Sequence, residues 1–492
     1  MTFEQFSTLS KDYNLIPVYE IITADLLTPV MAYLKIRQSG KQSFLLESVE
    51  GSLYLARYSF IGVDPEKTIK NKKKKLFISD GNSEIIKDDS IFNQLRNEIK
   101  GIKQAKLPEL PSFTGGIVGF LGYENISLIE NVLEFDYPSI NQYDSSFGVY
   151  KTILAFDHYK HQIILITNIL LNNSSDLQQD YDSAKGTLNK LKALLRKPEM
   201  NIDEFKISEW TKNDFDKDSF SSLVNEAEEN IVNGEIFQIV LSKRFSAKFE
   251  GDLINVYRSL RMINPSPYMY YMEFEDNSTV IGTSPEDLVR VKNKKVQTLP
   301  IAGTRRRGKN EQEDSELENN LLNDPKELAE HTMLVDLGRN DLGRVCKYGT
   351  VRVSELMRIQ KYSHVMHIVS KVEGELADSK DSIDALMSCF PAGTVTGAPK
   401  IRAMQLITDM ENEERNVYAG AVGYLDFSGD LDMCIAIRTL FSSGDIIYWQ
   451  SGAGLVADSK PELEEKEIFN KSAVMVNALK YAEGINENLS NR

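Results

Sequence analysis

Along the first 170 residues the hydrophobic positions fall in short β-branched and aromatic runs, SFLLESV, SLYLARYSFIGV, GGIVGFLGYE, FGVYKTILAFD and HQIILITNILL, separated by Gly, Asn and Asp. Runs of that length with turn-forming punctuation predict strands, so this part of the chain is expected to be sheet-built. After the polar break NNSSDLQQD, the segment DYDSAKGTLNKLKALLRKPE carries a 3.6-residue apolar period that stops at Pro198, which predicts a helix. The stretch DFDKDSFSSLVNEAEENIVNGEIFQIVLSKRFSAKF then reads as a capped helix closed near Gly234 and followed by a strand. A soft boundary at 200–215 separates a sheet-rich region, 1–205, from a mixed region, 206–492. The second region shows neither a solenoid period nor a βαβαβ alternation, which favours α+β over a doubly wound sheet. The lysine run Lys72 to Lys75 reads as a solvated hairpin or strand edge.

Composition narrows the function classes. A chain of 492 residues has room for two or three structural units. Its 41% hydrophobic and 26% charged residues argue against disorder and against a coiled coil. A net charge of −15 speaks against a general nucleic-acid or membrane-surface partner, both of which want a basic stripe. An anionic small molecule stays open, provided that Arg, Lys and backbone N–H groups cluster locally. The start, MTFEQFSTLSKDYN, lacks a basic region followed by an apolar run, and no stretch approaches the roughly 18 apolar residues of a membrane helix, so a cytoplasmic location is expected. Cys346, Cys389 and Cys434 are odd in number and without CxxC spacing, which predicts buried thiols and neither a disulfide framework nor a zinc knuckle.

The candidate chemistry is acidic and glycine-rich. Glu327 and Glu330 in KELAEHTMLVDLGRND, and Glu464 and Glu467 in ELEEKEIFNK, are pairs three residues apart. On helices each pair shares a face, so two such faces could aim four hard oxygen ligands at one Mg²⁺. A single ExxE is equally what a solvated helical face carries. PIAGTRRRG, FPAGTVTGAPK and QSGAGLVADS read as three Gly-rich loops, the second leading into a helix at or just after Pro399. With Arg438 of CIAIRT they offer donors for a small dianion, although each alone could be an ordinary tight turn. Two residues are candidates for proton transfer: Glu286 of IGTSPEDL, at an expected strand-to-helix turn, and His367 of YSHVMHIVS, on a strand between Val365 and Val369 where a core histidine is the plainer alternative.

Taken in order, LLES (Leu45 to Ser48), NPSPYMYY, GTSPE, PIAGTRRRG, ELAEHTMLVDLGRND, FPAGTVTGAPK, YAGAVGY, IAIRT and SGAGLVADSKPELEEKE resemble the chorismate-utilising enzymes almost end to end, and among them the component I family of anthranilate synthases. The resemblance implies a chorismate-utilising enzyme fold, α+β, with a two-sheet, sandwich-like β core surrounded by helices. It implies Mg²⁺-dependent conversion of chorismate and ammonia to anthranilate and pyruvate, a lyase reaction. By motif, Glu330 and Glu467 would be the metal ligands, with Glu327 and Glu464 in or near the ion's water shell. Gly303, Thr304, Thr394 and Tyr418 would hold the substrate, together with Arg438, Gly452, Ala453, Gly454 and Lys471. Glu286 matches the proposed general acid, His367 the histidine beside the ring, and Thr394 stands with them.

Two positions sort the chain among its relatives. Aminodeoxychorismate synthases resemble it but typically carry a lysine nucleophile where Ala302 stands, and isochorismate and salicylate synthases carry a base at the position of Gln238. Alanine and a neutral amide suit ammonia that arrives already basic. No cysteine lies in a nucleophile elbow, so a separate glutaminase subunit is expected, in a heterodimer or heterotetramer. Leu46, Glu47, Ser48, Pro267, Tyr268, Met269 and Tyr424 match the family's tryptophan feedback site, with Glu47 meeting the ligand's amino group, and the 1–205 region contributes to that site, while 206–492 is the chorismate-binding catalytic region. The rival readings are component I of aminodeoxychorismate synthase and a non-catalytic metabolite sensor on the same scaffold.

Overall fold

The computed structural model describes residues 1–48, 57–137, 139–198, 202–211, 218–362 and 365–485. Part of the SLYLARYSFIGV run (52–56), the residues expected to cap the helix before Gly234 (212–217) and two residues of YSHVMHIVS (363–364) lie outside them. Among the described residues the chain forms two 12-stranded sheets whose pairings are antiparallel. Their inner faces meet through an aromatic layer that includes Phe44 and Tyr270 from one sheet and Phe120 and Tyr150 from the other. The architecture is therefore α+β with a two-sheet core.

Strand Tyr268–Glu273 illustrates why the runs fold as they do. Its period of two sends Tyr270 and Met272 into the layer between the sheets and Met269 and Tyr271 toward the helices outside, so both faces are apolar. Helices Leu177–Leu195, Ile254–Ile263, Lys400–Glu411 and Pro461–Glu483 cover the first sheet. Helices Ile91–Ile99, Pro325–Gly343 and Ser382–Cys389 cover the second. Both sheets take strands from either side of residue 205: Ser43–Glu47 pairs with Tyr268–Glu273, and Gly116–Leu121 pairs with Ala421–Asp426. The lysine run forms the hairpin between Lys67–Lys72 and Lys75–Ser79, with Lys72 turned inward onto Asp144 and Glu414.

Three local expectations change. PIAGTRRRG and QSGAGLVADS are largely strand, as Ile301–Arg306 and Ile446–Leu455. In the first, Gly303 sits at φ +68° where the register shifts between Ala302 and Thr304, a bulge that a side chain would strain. In the second, glycines admit close neighbours within a paired strand. The third change is at Glu286, which joins strand Thr279–Ser284 to strand Asp287–Lys292, so the turn leads into a strand. No helix among the described residues is long and apolar enough to cross a membrane.

Candidate active site

The turn between those two strands delivers Glu286 to a cavity of about 50 Å³ that Thr394, Leu334, Asp341 and Ile435 also line. Burial pushes the Glu286 carboxyl up to about 8, against the pull of Thr394, Lys471 and Arg438 nearby. Thr394, on the short turn Gly393–Val395, lies beside it with Oγ1 buried and without a hydrogen bond of good geometry. Arg438 adopts a left-handed backbone, φ +50°, just before strand Thr439–Ser443. Burial pulls its guanidinium pKa down while Glu286 pulls it up. Among the described residues the guanidinium has no ion pair and no hydrogen-bond acceptor. A buried, unpaired guanidinium facing a protonatable carboxyl is an environment suited to an anionic ligand with a group to protonate.

The Gly-rich segment lies in the strand Ile446–Leu455. A Cβ at Gly452 would lie 2.6 Å from the Tyr418 hydroxyl, and one at Gly454 would lie 2.8 Å from the Gln238 amide nitrogen. The missing side chains thus let tyrosine and glutamine approach the backbone, and Ala453 between the glycines is fully buried. Lys471, one turn after Glu467 on helix Pro461–Glu483, donates to the Gly452 carbonyl at 2.9 Å and pairs with Glu467 at 2.7 Å. His367 stands opposite Thr304 in the neighbouring strand pair. Its Nδ1 lies 3.1 Å from the Gly303 carbonyl and 3.0 Å from Thr304 Oγ1, and burial lowers its pKa. Ala302 is buried opposite Ile368.

The acidic pairs do lie on helices, Pro325–Gly343 and Pro461–Glu483, each opening on proline. Burial, then Glu327 and Glu467, raise the pKa of Glu330; burial, then Glu467, raise that of Glu464. Four carboxylates on facing helices thus repel one another, a donor set whose chemistry fits a hard divalent cation. Yet among the described residues no three His, Cys, Asp or Glu side chains gather closely enough to hold an ion. Glu327 is engaged by Arg305 at 2.9 Å and Glu467 by Lys471. The three arginines of TRRR, expected among the donors for a dianion, are likewise spent: Arg305 also meets Asp324, Arg306 meets Glu313, and Arg307 meets Asp314.

A second, larger cavity of about 1200 Å³ lies between the sheets on the other side of Asp287. Leu46, Glu47, Ser48, Pro267, Tyr268, Met269 and Tyr424 all line it. The Glu47 carboxylate accepts from Tyr257 at 2.5 Å and from Arg261 at 3.1 Å, so protein donors already hold it.

A family model described as chorismate binding enzyme matches residues 41–477. The chain belongs to the chorismate-binding enzymes. It is 42% identical to "Anthranilate synthase component 1" of Aquifex aeolicus over 98% of both chains. The crystal structure of anthranilate synthase component I from Streptococcus pneumoniae superposes with a TM-score of 0.75 at 38% identity, covering 92% of this chain and 99% of that one. The menaquinone-specific isochorismate synthase of Escherichia coli, at 20% identity and a TM-score of 0.69 over 97% of this chain and 98% of that one, shares the fold. The chain is a chorismate-utilising enzyme of the lyase type, similar over nearly its whole length to component 1 of anthranilate synthase.

Among the candidate-site segments one contact is not legible in the sequence. Lys400 pairs with Asp341 at 2.9 Å in a largely buried contact, tying the segment that carries Thr394 to the helix that carries Glu330. Both residues close motifs already marked, LGRND and GAPK, but only the fold shows that the two ends meet.

Proposed function

We propose that the chain catalyses formation of anthranilate and pyruvate from chorismate and ammonia. The observation that carries this reading is that Glu286, Thr394, Arg438, Lys471 and His367 lie near enough to influence one another's charge, with a guanidinium that has no acceptor among the described residues and a carboxyl whose pKa burial raises to about 8. Arg438 and Lys471, with Tyr418, Thr304 and the Gly452–Gly454 backbone, bind the two carboxylates and the enolpyruvyl ether and hold the ring against His367. Ammonia adds at ring C2. Glu286, protonated below pH 8, gives its proton to the C4 hydroxyl, which leaves as water. Loss of the C2 proton and of the enolpyruvyl group as pyruvate then aromatises the ring. Glu330 and Glu467 would hold Mg²⁺, with Glu327 and Glu464 in or near its water shell, and the bound ion supplies positive charge that orients and offsets a substrate carboxylate.

Ala302 and Gln238 support ammonia as nucleophile, since neither side chain can attack the ring or deprotonate water. A separate glutaminase subunit supplies the ammonia in the cytoplasm. The larger cavity takes L-tryptophan as a feedback inhibitor, with Tyr268, Pro267, Tyr424 and the backbone of Met269 around its ring and Leu46, Glu47 and Ser48 at its polar end. Because Glu47 is engaged by Tyr257 and Arg261, it meets the amino group only if it shares those donors' acceptor oxygens. Purified chain incubated with chorismate, Mg²⁺ and ammonium at mildly alkaline pH should develop anthranilate fluorescence. Folded protein that leaves chorismate unchanged overturns the reading.

A further inference from the structure

Behind the site, between the first sheet and the end of helix Lys400–Glu411, lies a buried ion pair that none of the chemistry above uses. Arg415 is only 2% exposed. Its Nε and Nη2 reach the two oxygens of Glu411 at 2.7 and 2.5 Å, Nη1 donates to the Val395 carbonyl at 2.7 Å, and Nη2 donates to the Val240 carbonyl at 2.7 Å. The guanidinium also lies 4.9 Å from the ring centre of Tyr123 and 5.7 Å from that of Tyr418. Glu411 Oε1 in turn accepts the Ser242 backbone N–H at 2.7 Å and its hydroxyl at 2.9 Å.

The pair fills a gap in a β ladder. Strand Gln238–Glu250 is paired on one edge with Ile446–Leu455 from Ile239 to Lys248. On its other edge it meets Gly397–Ala398 only at Gln238 and Ile239, and Lys206–Trp210 only from Ala247 onward. Between those contacts the Val240 carbonyl and the Ser242 N–H would be left open on a buried edge, and Arg415 and Glu411 take them. Across the strand, Val240 stands opposite Gly454 and Ser242 opposite Gly452. Val395 follows Thr394 directly, and Tyr418 is the ring whose hydroxyl crowds Gly452.

We propose that Arg415, oriented by Glu411, is a positioning residue for chorismate: it sets the spacing of the Thr394 turn, the Gly452–Gly454 segment and the Tyr418 ring. The proposal rests on the reading of that site given above. The demand on the side chain is specific. Two carbonyls and both oxygens of one carboxylate lie around a flat fork of N–H groups, an arrangement that the three donors of a lysine ammonium cannot reproduce.

The test compares the full chain with R415M/E411M, R415K and S242A. The double variant removes both buried charges at similar volume and so preserves the fold, whereas R415K keeps a charge without the fork. With ammonium as nitrogen source, both are expected to raise KM for chorismate by about tenfold or more, with a smaller fall in kcat. Deuterium exchange in peptides spanning 238–244 and 393–397 is expected to quicken in the same variants, because their backbone partners are gone. A purely stabilising pair would lower the melting temperature and leave KM untouched. Wild-type KM in a folded double variant, or unchanged exchange, overturns the proposal. Should the double variant fail to fold, S242A decides, since it deletes one hydrogen bond to Glu411: KM about two- to threefold higher supports the role, and wild-type KM overturns it. Failure of the site reading looks different. There the wild-type chain is inert on chorismate, while exchange still reports whether the pair holds the two segments.

Discussion

The two cavities that meet at Asp287 differ in which charges they leave open. The smaller one is lined by Glu286, whose carboxyl burial holds near 8, and close enough to Glu286 to feel its charge lies Arg438, whose guanidinium has no acceptor among the described residues. In the larger one two largely buried carboxylates are already held: Glu47 by Tyr257 and Arg261, and Asp432 by Arg290 at 2.6 Å and by the Tyr268 hydroxyl at 2.9 Å. What it leaves open are single hydrogen-bonding atoms, among them Ser48 Oγ and Arg290 Nε, beside the shared wall atom Asp287 Oδ2. A ligand of the first cavity therefore has to bring charge, and a ligand of the second is selected mainly by shape and ring surface. On the proposed reading, chemistry belongs to the cavity at Glu286 and inhibitor binding to the one from Tyr268 to Tyr424, and the contrast ranks the expected consequences of substitution.

The largest effect is expected at Glu286. Glu286→Gln should lower kcat by about 10²- to 10⁴-fold, the usual worth of a positioned general acid, with KM for chorismate changed little. The protonated form is the donor, so at saturating ammonia kcat should be highest below the raised pKa and fall as pH rises through about 8. A flat profile to pH 9.5, where the proton activity is roughly 30-fold below that at the midpoint, would remove Glu286 from the role. Next comes Arg438→Met, which should cost about 2 kcal/mol or more in chorismate binding, roughly a 30-fold rise in KM, read from initial rates. An unchanged KM would mean that the open guanidinium serves no ligand. Glu330→Gln should raise the Mg²⁺ concentration for half-maximal turnover about tenfold, measured by metal titration. The smallest effect lies in the larger cavity. Ser48→Ala should raise the tryptophan concentration for half inhibition about fivefold, the worth of one hydrogen bond, and leave uninhibited turnover within about twofold of wild type. If Ser48→Ala instead lowered kcat as far as Glu286→Gln does, the separation between the two cavities would collapse.

The parts of this arrangement that sequence discloses are those encoded by local period. The strands of the first 170 residues, the helix ended by Pro198 and the i, i+3 faces of Glu327/Glu330 and Glu464/Glu467 follow from spacing alone. PIAGTRRRG and QSGAGLVADS misled because glycine most often marks a loop, whereas here it thins a paired strand so that Gln238 and Tyr418 can approach. TRRR looked like an anion cradle, but its acidic partners Glu313, Asp314, Asp324 and Glu327 come from neighbouring helices whose docking no local pattern reveals. The Glu411–Arg415 pair is hidden for the converse reason: ENEER has the composition of a solvated helix end, and only the gap in the strand ladder accounts for the burial of its first and last side chains. The likeness to chorismate-utilising enzymes supplied roles for single residues, and the fold adds which of them stand without partners.

The most direct test of the account follows the nitrogen. The chain, given chorismate, Mg²⁺ and ¹⁵N-labelled ammonium with no partner subunit, should yield labelled anthranilate and pyruvate in equal amounts by NMR. Labelled aminodeoxychorismate without pyruvate, or isochorismate carrying no label, would contradict it.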